Sequence, residues 1–219
     1  MLRNRYGALS SVLALLVGAL ASALTAPSLA TAQTTTKPAL EGAELLTVLR
    51  AGGYVLYFRH ADTDHTQKDT QGMNFDDCAA QRNLTDRGRD NARAIGEALR
   101  ALGIVTGAVL ASPYCRTVET AMLAFGAAEK SMAVREGGPL PPGSPGRFTG
   151  LRALLSTSPA QGTNTVIVGH AYPFYALVGG QYLDEGEAAV VRPVSTGFEV
   201  VARVGSRQWR ALGPPAGDR

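Results

Sequence analysis

The 219-residue chain predicts an α/β fold, a three-layer sandwich with a mainly parallel central sheet flanked by helices. Three observations predict it. Apolar runs of strand length stand at 54–58, 107–112 and 165–168. Segments with helical spacing of apolar residues alternate with them. Each run delivers polar or charged residues at its carboxyl end, where open sheets of this kind bind ligands. Hydrophobic residues make up 45% of the chain, which is ample for a buried core and excludes a disordered protein. With 25 Gly and 12 Pro, a collagenous or linker-like chain is excluded as well.

The elements follow in order. Arg3 and Arg5 precede an apolar stretch from Ala8 to Leu24, and Ala30-Thr31-Ala32 then supplies small residues, so 1–32 reads as a secretory signal cut before Gln33. The rival is a retained anchor, against which Ser10, Ser11, Gly18 and Ser22 interrupt a stretch already short of the roughly 20 residues a span needs. Residues 33–39 form a flexible leader and 40–219 one domain. Glu41–Arg50 places Leu45, Leu46 and Leu49 on one helical side, stopped by Gly52-Gly53. Tyr54–Phe58 is the first strand and delivers Arg59-His60. The polar stretch 62–82 is a long loop over that strand's end. Thr85 caps a helix with Ala92, Ile95, Leu99 and Leu102 on its apolar face, ending at Gly103. Gly107–Ser112 is a second strand, Cys115–Phe125 a helix, and Met132–Glu136 a short edge strand. An irregular Gly/Pro-rich section precedes a helix at Arg147–Ser156. A third strand at Thr165–Val168 leads to Gly169-His170, followed by a helix around Phe174–Val178 and a terminal strand at Phe198–Val204.

Charge points to no nucleic-acid partner. The formal +3 includes Arg3 and Arg5, residues 1–32 hold no acid, and the remaining basic residues are scattered rather than clustered. The two cysteines, Cys78 and Cys115, form a disulfide if the chain enters an oxidising compartment, and otherwise are two buried thiols.

Two of the three histidines share one context: His60 and His170 each follow an apolar strand closely and each precedes alanine. Arg59 and Arg116 lie at strand ends too. Two such guanidinium groups suit phosphate or carboxylate, and bringing them together is costly unless an anion joins them.

The segments VLYFRHADTD, NLTDRGRDNA, LASPYCRTVETA and TVIVGHA resemble the successive motifs of the histidine phosphatase superfamily, whose relatives include acid phosphatases and phosphoglycerate mutases. The resemblance runs from about Tyr54 to the C-terminus. It implies a phosphoglycerate mutase-like fold and a phosphomonoester hydrolase in which His60 attacks phosphorus, with the phosphoryl oxygens held by Arg59, Arg116 and His170 and no cofactor. Cations beside His60 favour its neutral, nucleophilic form, which agrees with that role. The chain departs from the family at Ala61, where relatives carry glycine.

The general acid implied by the mutase-like relatives is Glu136, with Asp184, Glu185 and Glu187 as rivals behind the His170 helix. His65 is a loop residue that either contacts substrate or is solvated. A zinc site from His60, Asp64 and His65 lacks the i, i+4 helical pair of the common zinc hydrolases. Expected partners are a small phosphorylated substrate or a phosphoprotein, in the periplasm or outside the cell, with no stable membrane anchor. The competing function is a phosphate-binding or sensing module without turnover.

Overall fold

The computed structural model describes residues 39–137 and 140–213. The signal segment 1–32 and all of the leader but Ala39 lie outside the described residues. Strand β1 (Val55–Arg59) pairs in parallel with β4 (Asn164–Gly169), which pairs in parallel with β2 (Thr106–Ala111), and β2 in turn with β3 (Glu129–Lys130). On the other side of β1, β5 (Ala188–Val194) and β6 (Gly197–Val204) add two antiparallel strands. The six-stranded order is β3-β2-β4-β1-β5-β6.

Period-two alternation sets the layers. Leu56, Phe58, Val166, Val168 and Val190 face one core, while Val55, Tyr57, Ile167 and Val191 face the other. Helices α1 (Gly42–Ala51), α2 (Asp86–Ala101) and α3 (Cys115–Phe125) contribute Leu49, Ile95, Leu99 and Ala121 to the first. Trp209, from a short turn after β6, is fully buried there against Phe58. Helices α4 (Thr149–Ser156) and α5 (Ala171–Val178) close the second face through Leu151, Leu155 and Phe174. The chain is thus a three-layer α/β sandwich with a mainly parallel sheet.

Local chemistry explains the helix ends that matter for the site. The Thr85 side chain accepts the Gly88 N–H and starts α2. Gly126, at φ 73°, closes α3. Helix α5 begins at Ala171, three residues earlier than the apolar pattern suggests, because Pro173 falls in the first turn, where no amide partner is needed.

Two differences from the sequence reading stand out. Met132–Glu136 is not a strand: pairing ends at Lys130, the Ser131 amide bonds the Ala111 carbonyl, and Met132–Val134 turns inward to bury Val134. Strand β5 is absent from that reading. Its small Ala188-Ala189 start and its Arg192-Pro193 end dilute the apolar run that marks the other strands.

Candidate active site

The parallel strands β1, β2 and β4 bring their carboxyl ends to one edge, and each ends in a residue that joins the site. His60 follows β1, Ser112 follows β2, and His170 follows β4 as the residue preceding α5. The two imidazoles lie 5.6 Å apart between centroids, nearly edge to face, and both are buried. Their approach is set from below. The Tyr57 hydroxyl donates to the His170 carbonyl at 2.8 Å and accepts the His170 amide at 3.1 Å. Gly169 makes room for this clamp, since a Cβ there would stand 2.3 Å from the Tyr57 hydroxyl oxygen.

The hydrogen bonds define what each ring can do. His60 Nδ1 lies 2.9 Å from the Ala61 carbonyl, which can only accept, so Nδ1 carries the proton and Nε2 is the free nitrogen. Burial, and then the charges of Arg116, Arg59 and Arg82, hold the His60 pKa well below its ordinary value, although the Ala61 bond opposes them. His170 is lowered in the same direction by burial, Arg116, His60, Arg82 and Arg59. His170 Nε2 bonds the Ser112 hydroxyl at 2.8 Å, whereas its buried Nδ1 makes no hydrogen bond and lies 3.5 Å from a Glu136 carboxylate oxygen.

Arg116 is fully buried in the first turn of α3, with its guanidinium 4.3 Å over the Tyr114 ring. Nη1 donates to both oxygens of Asp69 at 2.9 and 3.1 Å, and Nη2 donates to Glu136 at 2.7 Å. These two carboxylates offset the cost of burying the cation. Arg59 is placed differently. It donates from Nη1 to the Leu183 carbonyl and from Nη2 to Glu185, whose carboxylate also accepts from the Thr63 amide and hydroxyl. The two arginines have separate carboxylate partners, Glu185 for Arg59 and Asp69 with Glu136 for Arg116. Arg59 also borders a polar cleft of about 700 Å³ with Asp62, His65, Arg87 and Asp184.

Of the candidate acids, Glu136 therefore sits against Arg116 and His170. Glu185 belongs to Arg59, and Glu187 pairs with Arg203 while accepting the Asp184 amide. His65 is exposed, beside Glu185 and Arg82. Asp64 turns to Thr66 and Gln67, and among the described residues no group of three His, Cys, Asp or Glu is arranged to hold a metal. The Ala61 methyl is buried with Leu84 and Ala92, and its amide donates to Thr120, so the side chain is absorbed into packing. Cys78 and Cys115 are joined in a disulfide that ties the 62–82 loop to the residue preceding Arg116. Sequence reasoning missed Asp69, Ser112 and Tyr57. Ser112 had a signal in its strand-end position, as the histidines did; Asp69, in an aperiodic loop, had none.

Residues 55–137 match the histidine phosphatase superfamily, branch 1. The matching segment holds Arg59, His60, Asp69, Arg116 and Glu136, and stops before β4 and His170. Among solved structures, an Escherichia coli K-12 protein provisionally described as an alpha-ribazole-5′-P phosphatase is similar in fold, at 15% identity and TM-score 0.51, covering 74% of this chain and 100% of its own. The protein histidine phosphatase SixA complexed with tungstate aligns at 20% identity over 70% of this chain and 97% of its own, with TM-score 0.48. The alpha-ribazole phosphatase from Shigella flexneri aligns at 14% identity over 67% and 94%, with TM-score 0.48. No curated protein sequence matches this chain significantly.

Proposed function

We propose that the protein is a phosphomonoester hydrolase that works through a phosphohistidine on His60. The observation that carries this reading is the bond from His60 Nδ1 to the Ala61 carbonyl, which leaves Nε2 unprotonated beside His170 and Arg116. A lone pair on Nε2 attacks phosphorus, a P–N bond forms, and the bond from phosphorus to the ester oxygen breaks. Positive charge that develops on the ring is shared through Nδ1–H with the carbonyl. Arg116 Nη2, His170 Nδ1–H and the Arg59 charge stabilise the phosphoryl oxygens, with most of the catalysis electrostatic. The Ser112 bond to His170 Nε2 supports the tautomer that presents Nδ1–H to the site.

Glu136 is the proposed general acid. Displaced from Arg116 by the incoming phosphoryl group, it takes the proton of the phosphate monoanion and passes it to the departing alkoxide. Its carboxylate then takes a proton from the water that attacks the phosphohistidine, releasing phosphate and neutral His60. Glu136→Gln should therefore slow an alkyl phosphate much more than an aryl phosphate, whose leaving group needs no proton; equal turnover of the alkyl ester would remove the assignment. The decisive test of the whole reading is phosphate release from p-nitrophenyl phosphate. His60→Ala should abolish it, whereas a phosphate-binding module would show no difference between variant and wild type.

The substrate class proposed is a small phosphorylated molecule or a phosphoprotein met after export. The disulfide is consistent with an oxidising compartment, and no helix among the described residues is long and apolar enough to cross a membrane.

A further inference from the structure

We propose that Asp69 is a built-in counter-anion of the site, a positioning residue that shares Arg116 with the phosphoryl group and weakens the grip on phosphate. The proposal rests on reading the site as one for phosphate. Arg116 has no solvent exposure, and its outward fork is occupied on both prongs, Nη1 by Asp69 and Nη2 by Glu136. The two carboxylates are not held alike. Glu136 stands before Gly137, at φ 79°, its side chain 40% exposed, hydrogen-bonded to Arg116 and 3.5 Å from His170 Nδ1. Asp69 is anchored a second time, because its Oδ1 also accepts the Arg82 amide at 2.9 Å. Around it the loop is cross-braced: the Thr70 amide bonds the Ala80 carbonyl, Gln81 accepts the Cys115 amide, and the Cys78–Cys115 bond ties the same loop beside Arg116.

A phosphoryl group entering the fork meets one carboxylate that can swing away and one that is fastened. Glu136 leaves and Asp69 stays. Nη2 then serves the phosphoryl oxygen while Asp69 keeps Nη1 oriented and cancels much of the guanidinium charge. A single arginine so shared binds phosphate less tightly than a free fork would, which favours release of the product after each turnover. The cost falls on ground-state affinity, so the signature of Asp69 is in binding rather than in the chemical step.

Calorimetric titration of the whole chain with inorganic phosphate tests this without relying on turnover. Asp69→Asn keeps the shape and removes the charge, and should bind phosphate about tenfold or more tightly. KM for p-nitrophenyl phosphate should fall in parallel, with no rise in kcat. Asp76→Asn, in the same loop but paired with Lys130 at the surface, removes an equal charge and should leave phosphate affinity unchanged. Asp69→Ser is the second variant, followed with Asn by thermal melting. Phosphate binding in wild type that is equal or weaker in folded Asp69→Asn and Asp69→Ser overturns the proposal, as does loss of folding in both, which would make Asp69 a purely structural partner. A wild type that binds no phosphate overturns the reading of the site itself.

Discussion

Removing the Cys78–Cys115 cross-link is the perturbation whose magnitude the structure defines most directly. The two residues are separated by 37 positions in sequence, and closing a loop of that length withdraws entropy from the unfolded chain worth about 4 kcal/mol at 25 °C. For a domain of this size each kcal/mol moves the melting temperature by about 2–4 °C, so the loss should lower Tm by about 8–16 °C. The assay is scanning calorimetry of the oxidised protein against the Cys78→Ser/Cys115→Ser double variant. Both positions are at least partly accessible, so the serines introduce no buried orphan hydroxyl. Hydrogen exchange on the same pair should show amides of the 69–82 loop losing more protection than those of β1, because the cross-link braces the loop and not the sheet. A Tm difference below about 2 °C would refute the argument, since it would mean that the cross-link adds almost no restraint to the unfolded chain.

Three further outcomes follow from the packing and the buried rings. His60 and His170 are held neutral when folded, by burial first and arginine charge second, so below pH 6.5 the unfolded chain takes up protons that the native state refuses. Stability should fall as pH drops from 6.5, by up to about 1.4 kcal/mol per pH unit for each imidazole, until the lowered native values are reached. Urea midpoints of wild type against a His60→Asn/His170→Asn variant between pH 7.5 and 5.5 isolate this slope; equal slopes would contradict it. Gly96→Ala places a Cβ 1.9 Å from the Ala124 carbonyl oxygen and must push α2 from α3, costing about 1–3 kcal/mol or more by urea denaturation. Unchanged stability would show that the two helices are not in that contact. Ser112→Ala leaves His170 Nε2 buried without its partner, a loss of about 1–3 kcal/mol, and should lower kcat on p-nitrophenyl phosphate; full activity would show that Ser112 does not set the His170 tautomer.

Much of the architecture was legible because it is written in local periodicity. Alternation along Val55–Phe58 and 166–168 states which side chains face which core, the Thr85 cap and the Ala92, Ile95, Leu99 stripe state where α2 begins and how it lies, and strand-end histidines mark the carboxyl edge. These signals report how a residue relates to its near neighbours, and a strand or helix preserves that relation wherever it packs. Strand β5 escaped because small residues and a proline dilute its pattern, and the edge strand was displaced because Val134 is buried by a turn rather than by a ladder.

Local pattern alone was enough for the α/β layering and for His60, His170 and Arg59 at strand ends, whereas Arg116, expected at a strand end, lies one residue inside α3, because Ser112–Tyr114 turn the chain after β2. The partners of these groups came from the packed chain: Asp69 on Arg116 across 47 residues, Ser112 on His170 across 58, Glu185 on Arg59 across 126, and Glu136 rather than its rivals beside His170. The physical reason is that a hydrogen bond or ion pair between distant segments carries no period along the chain. It forms only after the sheet has closed the intervening loops, and the geometry of that closure selects which carboxylate reaches which cation.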